Sequence, residues 1–371
     1  MDSSDRIKSN PISHIELKKQ QLPAIFNVDT DKITSMLSEL NINKDDLNFS
    51  DIQRVGHSLY SNVDETEVLG ITNNKGGVGK TFVSFELSQF LQLEGKRVLA
   101  VDLDGQCNLT NFFMNYEPEH SVVDWFSEEG ETRIESLAID VDNNLSILPA
   151  NEDLGNFSAV LDRAFSFDSK KGRFSSDSDL SLLNGVIDSF KRYASHFDYV
   201  VIDSPPNLGV LNVLACAIST KLITPISPER NNKEAAEVIL GFSKYVDKLL
   251  GRKSDTSKYF LLNNVRPLKE RIQRDGEEAI RKTIERADSF NESSFLMRAK
   301  IPFSQVFGIS NSEGISISQI GTFGDELEED EVKMIRSLVG KFREVLDELQ
   351  DSSSKRASTS KSSQKRRTVI W

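Results

Sequence analysis

The chain has 371 residues, of which 38% are hydrophobic and 27% charged, and its formal net charge at pH 7 is −12. A chain of this size can bury a large core, and its acidic balance argues against nucleic-acid binding over the whole surface. No apolar run approaches the ~20 residues that a membrane-spanning helix needs, and the first residues lack the pattern of a signal peptide. We therefore expect a soluble, cytoplasmic protein.

Residues 1–65 are predicted to form a separate helical extension. Apolar residues at helical spacing indicate one helix that begins near Thr30 and a second that begins at Phe49, with a turn rich in Asn and Asp between them. Two short helices need a surface to pack on, and Lys44 and Arg54 are the only plausible phosphate contacts. Dimer-stabilising helices, a docking arm and specific DNA readout are all open roles for this extension.

A glycine-rich run, NNKGGVGKT at 73–81, follows an apolar segment and precedes a helical pattern. This order predicts a phosphate-binding loop between a strand and a helix, in which backbone amides converge on phosphate oxygens. The Lys80 amine can reach the β and γ phosphates, and the Thr81 hydroxyl can ligate Mg²⁺. The loop departs from the ordinary pattern because Asn74 occupies the first glycine position and a second lysine, Lys75, follows it.

Strand-like runs alternate with helical patterns along the rest of the chain. This alternation predicts an α/β fold with a doubly wound, largely parallel sheet. In such sheets ligands bind outside the carboxyl ends of the strands, and the loop, Asp102, Asp104 and Asp203 all fall at strand ends. The predicted strands are 68–72, 97–103, 199–203, 221–226, 259–265 and 295–301.

The loop sequence KGGVGKT resembles the signature of the ParA/MinD family of dimerising ATPases. Three further segments agree with that family in the expected order: DLDGQCN at 102–108, YVVIDSPPNLG at 199–209 and IPFSQVFGISNSEGISI at 301–317. Gly105 and Cys107 stand where the family usually has proline and glycine. The resemblance covers roughly residues 66–345 and indicates a deviant Walker A ATPase.

The resemblance implies ATP and Mg²⁺ as ligands and a homodimer that encloses the nucleotides. In that dimer Lys75 would reach the partner's nucleotide, and Asp104 would position the attacking water. Lys75, Lys80 and Asp104 are the predicted catalytic residues. Thr81 and Asp203 are the predicted metal residues, together with Asp102, which would brace the loop and the metal shell. The predicted nucleotide contacts are Lys75, Gly76, Gly77, Val78, Gly79, Lys80, Thr81, Phe82, Asn263, Asn264 and Pro302.

Two stretches are candidates for DNA contact. The first, 266–300, mixes basic and acidic residues, so a solvated helix with internal ion pairs is the alternative. The second, 351–371, contains no acidic residue after Asp351 and is predicted to be a disordered basic tail, with a solubilising or partner-binding role as the alternative. The predicted DNA contacts are Arg266, Lys269, Arg271, Arg274, Arg298, Lys355, Arg356, Lys365, Arg366 and Arg367.

The predicted domains are the extension at 1–65, an ATPase domain at 66–350 and the tail at 351–371. The resemblance implies a DNA-partition ATPase whose ATP dimer binds nonspecific DNA at the nucleoid. A ParB-like centromere-binding partner would stimulate hydrolysis and release the dimer from DNA.

The alternatives are a MinD-like ATPase that positions a protein or membrane cargo and an autorepressor that acts through the extension. Membrane binding is disfavoured because the last predicted helix, 328–349, is acidic at both ends. An iron–sulfur carrier is excluded because the two cysteines have no ligand spacing.

Overall fold

The structure is a computed structural model, and it describes residues 16–60, 65–126, 134–165, 167–168, 173–174, 181–227, 233–251, 256–266, 270–287, 294–307, 315–320 and 329–365. Its strands are β1 Glu16–Lys18, β2 Asp46–Asn48, β3 Glu67–Ile71, β4 Val98–Asp102, β5 Ile139–Asp142, β6 Leu145–Leu148, β7 Phe167–Asp168, β8 Arg173–Phe174, β9 Tyr199–Asp203, β10 Lys221–Ile226, β11 Ser257–Val265 and β12 Ser294–Pro302.

Eight of these strands form one sheet with the order β12-β11-β10-β3-β9-β4-β6-β5. All neighbours in it are parallel except β5 and β6, which form an antiparallel edge pair. The six predicted runs correspond to β3, β4, β9, β10, β11 and β12, so the predicted doubly wound, mostly parallel α/β sheet is confirmed. The central strands β3, β4, β9 and β10 are buried on both faces, apart from the half-buried Glu67, as expected for strands that are covered by helices on both sides.

The helices are α1 Leu22–Ile25, α2 Thr30–Glu39, α3 Phe49–Leu59, α4 Lys80–Leu93, α5 Asn108–Phe113, α6 Val122–Trp125, α7 Ile134–Leu137, α8 Asp153–Ala164, α9 Ser181–Ala194, α10 Val210–Ile218, α11 Lys233–Leu249, α12 Glu270–Ala287, α13 Ile317–Ile320 and α14 Glu329–Lys365. One face of the sheet packs on α8, α9, α10 and α11, and the other packs on α4, α5 and α14. Alternate residues of each strand enter the two cores. Leu99 and Val101 of β4 face the first, and Val98 and Ala100 face the second.

The described part of the N-terminal extension, residues 16–60, is called the N-terminal module below. It consists of α1, α2 and α3 around the antiparallel pair β1–β2, and β2 lies where the sequence predicts a turn. Its apolar core includes Leu93, the last residue of α4. Contact is close because a Cβ added at Gly56 would lie 2.6 Å from the Leu93 carbonyl oxygen. The module therefore shares its core with the helix that follows the phosphate-binding loop.

The last helix, α14, continues to Lys365. Residues 366–371 lie outside the described residues. Among the helices that the structure does describe, none is long and apolar enough to cross a membrane.

Candidate nucleotide site

The glycine-rich loop connects β3 to α4 at the carboxyl edge of the sheet, as its sequence predicts. Gly77 and Gly79 adopt left-handed backbone conformations, with φ of 71° and 85°. Such conformations favour glycine, and a side chain at Gly79 would also collide with the amide of Asn263. The first turn of α4 therefore points its amides towards the space above the loop, where a phosphate group can bind.

Two asparagines hold the loop from either side. The Asn73 side chain accepts a hydrogen bond from the Lys75 amide (2.9 Å) and donates one to the Pro225 carbonyl (2.7 Å) at the end of β10. Asn263 of β11 donates to the Val78 carbonyl (2.7 Å). Asn73 was not among the predicted site residues, and its position between a strand and a glycine-rich loop was the only signal for it in the sequence.

The three predicted base contacts lie on adjacent strands. Asn263 is buried with its Oδ1 unpaired, and Asn264 beside it has a left-handed φ of 56°. Pro302 ends β12 opposite Val265 of β11. The Asn263 amide nitrogen donates one hydrogen bond to the loop, and its unpaired oxygen is available to a ligand.

Lys80 is buried at the start of α4, and its amine lies 3.2 Å from the Lys75 carbonyl oxygen. Burial lowers its pKa, and the nearby charges of Asp203 and Asp104 raise it. The predicted phosphate-binding amine therefore experiences the charges of both acidic residues. Thr81 and Phe82 follow in the same turn, and the Phe82 ring packs 4.5 Å from that of Phe307.

Asp203 and Asp102 are paired in register at the ends of the neighbouring strands β9 and β4. Asp203 is fully buried, and burial raises its pKa to about 8. The charge of Asp102 raises that pKa too, whereas Thr81 and Lys80 lower it. Its Oδ1 accepts a hydrogen bond from Ser84 (3.3 Å), and its Oδ2 has no hydrogen-bond partner. A buried carboxylate with one open oxygen beside a threonine hydroxyl suits a divalent cation such as Mg²⁺.

Asp102 is occupied by contacts within the protein. Its Oδ2 accepts hydrogen bonds from the amide and the hydroxyl of Thr110, each at 2.8 Å, and its Oδ1 accepts one from the Asp104 amide at 3.0 Å. Burial raises its pKa to about 6, and the hydrogen bonds from Thr110 and Asp104 oppose the shift. The geometry therefore fits the predicted bracing role of Asp102 and not a direct bond to a metal ion.

The turn after Asp102 accommodates the two departures from the family pattern. The Asp104 carboxylate accepts a hydrogen bond from the Gln106 amide (3.1 Å). A Cβ at Gly105 would lie 2.6 Å from the Gly155 amide nitrogen, so a proline cannot be accommodated at this position. Cys107 adopts a left-handed φ of 53°, a conformation that glycine adopts more readily. Burial raises the pKa of its thiol to about 12, so the thiol is protonated at neutral pH.

The residues predicted to contact DNA do not form one basic face among the described residues. Helix α12 carries as many acidic as basic side chains, and Lys282 and Lys300 pair with Glu278 and Glu277. Arg274 is exposed, Arg298 has 87% of its side chain exposed, and exposed Arg266 stacks on the Phe303 ring. Outside the described residues lie Lys269, Arg366 and Arg367, and the side chains of Arg271, Lys355, Arg356 and Lys365.

Comparison with known proteins identifies relatives of the domain that holds this site. A family model described as an AAA domain matches residues 66–254. The sporulation initiation inhibitor protein Soj of Bacillus subtilis is 30% identical over 186 residues, which are 50% of this chain and 67% of Soj. A putative replication protein A of Rhizobium rhizogenes is 29% identical over 174 residues, 45% of this chain and 41% of that protein. A virulence plasmid ParA family protein of Chlamydia psittaci is 29% identical over 168 residues, 44% of this chain and 58% of that protein.

The match thus spans between 41% and 67% of the length of these three relatives. Among solved structures, McdA of Cyanothece has the same fold. Its apo form and its ATP complex give TM-scores of 0.56 and 0.57 at 18% identity, and they cover 75% of this chain and 99% and 96% of theirs.

Proposed function

Because the chain belongs to the AAA domain family, in its ParA/MinD branch, we propose that it hydrolyses ATP as a nucleotide-dependent homodimer that partitions DNA. The observation that carries this proposal is the convergence of Lys80, Asp104 and Asp203 at a phosphate-binding loop that has a second lysine. Phosphoryl transfer requires mainly positioning and charge stabilisation, and these groups supply both.

Each group has a distinct task in this reaction. The loop amides and the Lys80 amine hold the triphosphate, and the Thr81 hydroxyl and the open Asp203 oxygen hold Mg²⁺. Bound Mg²⁺ supplies charge neutralisation at the phosphate oxygens. Asp104 orients the attacking water, and the hydrogen bond from the Asp104 amide to Asp102 fixes the turn that carries it.

Lys75 links hydrolysis to dimerisation. Its backbone amide donates a hydrogen bond to the Asn73 side chain, so the residue is held within the loop that binds the triphosphate. In a dimer that encloses two nucleotides this lysine contacts the partner's phosphates, so ATP stabilises the dimer and hydrolysis removes that stabilisation.

Replacing Lys75 by alanine should lower the turnover of the ATP dimer by about 100-fold, because one charge is lost from the transition state. The affinity of the monomer for ATP should change by less than about threefold. Phosphate release and fluorescent-nucleotide titration measure the two quantities, and Lys44→Ala, at a lysine paired with Asp51 in the N-terminal module, is the control. Normal turnover in the Lys75 variant would contradict the role in trans.

The cargo is proposed to be DNA bound without sequence preference. Exposed Arg266, Arg274 and Arg298 lie among acidic residues, whereas the sequence after Asp351 carries only basic charges, so the tail is the stronger candidate. A ParB-like centromere-binding protein is the proposed activator.

The N-terminal module does not favour an operator-binding role. Its two candidate phosphate contacts are engaged within the module, because Lys44 pairs with Asp51 and Arg54 donates a hydrogen bond to the Leu40 carbonyl. The strand β2 also separates α2 from α3, so the two helices do not form a helix-turn-helix.

Duplex DNA binding with ATP, ADP or no nucleotide tests this function. The intact chain should bind only with ATP, and log K should fall with log salt by about 0.9 per phosphate contact. A chain that ends at Asp351 should dimerise with ATP and lose most DNA binding. Equal binding in all nucleotide states, or no binding, would overturn the DNA-partition assignment.

A further inference from the structure

Helix α8 touches both loops that follow the acidic strand ends. At its first turn, the Gly155 amide nitrogen and Cα lie 2.6 and 2.8 Å from where a Cβ of Gly105 would be. At its last turn, the Asp162 Oδ1 accepts a hydrogen bond from the Val210 amide at 2.8 Å. One helix therefore contacts the loop that carries Asp104 and the loop that follows Asp203.

The contact made by Asp162 closes the end of that second loop. Its two carboxylate oxygens lie 3.1 and 3.2 Å from where a Cβ of Gly209 would be, so the loop backbone passes directly against the acid. The Val210 amide, which donates this hydrogen bond to Asp162, is the first amide of α10. A carboxylate at a helix N-terminus stabilises the helix. Asp162 thus fixes the point at which the loop enters α10.

Asn212 of α10 holds the same loop from the other side. Its amide donates to the Pro205 carbonyl (3.2 Å) and to the Asn207 carbonyl, and its oxygen accepts from the Thr72 hydroxyl (3.0 Å) at the end of β3. The loop after Asp203 is therefore held between α8 and the strand that leads into the phosphate-binding loop.

We propose that α8 links the two loops mechanically and that Asp162 is a positioning residue for hydrolysis, a role that rests on the proposed ATPase function. The residue does not touch the nucleotide site. It acts by fixing the loop after Asp203 and, through α8, the turn that holds Asp104. Small displacements of positioned groups are costly, since a misplacement of about 1 Å can reduce a rate by 10²-fold.

Asp162→Ala in the full chain removes the acceptor for the Val210 amide. We expect kcat for ATP to fall by about 10-fold or more with KM and nucleotide affinity within about twofold, because the phosphate contacts do not involve α8. Asp162→Asn keeps an oxygen that can accept the same hydrogen bond and should restore most of kcat. A fall in kcat that asparagine does not restore would overturn the positioning role.

Asn48→Ala is the matched control, because Asn48 caps α3 in the N-terminal module through the Asp51 amide. It should cost similar stability, about 1 kcal/mol, without changing kcat. If kcat falls in both variants in proportion to the decrease in melting temperature, Asp162 has only a structural role.

Amide hydrogen exchange separates this proposal from the proposed function, because it needs no activity. In Asp162→Ala, exchange should accelerate at residues 104–108 as well as at 207–210, and in Asn48→Ala at neither. Faster exchange at 207–210 alone would overturn the mechanical link through α8. A wild-type chain that binds ATP without hydrolysing it would instead overturn the ATPase function. The hydrogen-exchange experiment would still show whether α8 links the two loops.

Discussion

Replacing Asp104 by asparagine is expected to lower kcat for ATP hydrolysis by about 100-fold or more, because a carboxylate that orients water contributes roughly 10²–10⁴-fold. The amide oxygen of asparagine can still accept the hydrogen bond from the Gln106 amide, so the turn should persist. ATP affinity should therefore stay within about threefold of the wild type. Single-turnover phosphate release and fluorescent-nucleotide titration measure the two quantities.

The same substitution two residues earlier should act differently. Both oxygens of Asp102 accept hydrogen bonds from buried donors, so the Asp102→Asn side chain would turn an N–H towards either Thr110 or the Asp104 amide. We expect a loss of about 1–3 kcal/mol in the free energy of unfolding, measured by urea denaturation. A stable Asp102→Asn protein, or an Asp104→Asn protein that hydrolyses ATP normally, would contradict this division of roles.

Local sequence patterns predicted the parts of the molecule that depend on local physics. Buried parallel strands are continuous apolar runs, and the glycine-rich loop needs its glycines for left-handed turns, so both are visible in sequence. Since the carboxyl ends of parallel strands meet at one edge, the proximity of Asp102, Asp104 and Asp203 to Lys80 followed from topology.

The parts that were missed depend on contacts between distant residues. The strand β2 has only three residues and pairs with an equally short β1, so it is too short to show an alternating pattern of apolar and polar residues in the sequence. The hydrogen bond from the Asn263 amide to the Val78 carbonyl was not predicted, because only the packing of β11 against the loop determines it. Gly105 looked like a departure from the family turn, and its reason is the approach of Gly155 from α8.

A second strong effect is expected from Arg343→Met in α14. Arg343 and Glu94, at the end of α4, form a buried ion pair with 1% and 0% of their side chains exposed. The guanidinium also lies 3.1 Å from Asp347 and 4.2 Å from the centre of the Tyr60 ring in the N-terminal module. Removing one partner of such a pair leaves an uncompensated buried charge, which costs about 3–5 kcal/mol. Urea denaturation of the nucleotide-free chain measures this loss.

Arg298→Met is the control, because Arg298 is exposed and lies 4.0 Å from Glu348, and it should cost less than about 1 kcal/mol. The double variant Arg343→Met/Glu94→Gln removes both charges and should recover at least about 2 kcal/mol of the loss, which a double-mutant cycle isolates. Additive effects would contradict the buried pair.

Because α4 begins at Lys80 and ends beside Glu94, this pair fixes the far end of the helix whose first turn faces the phosphates. The N-terminal module, through Tyr60 and the shared contact with Leu93, packs against this end of α4, which is the end opposite the phosphate-binding loop.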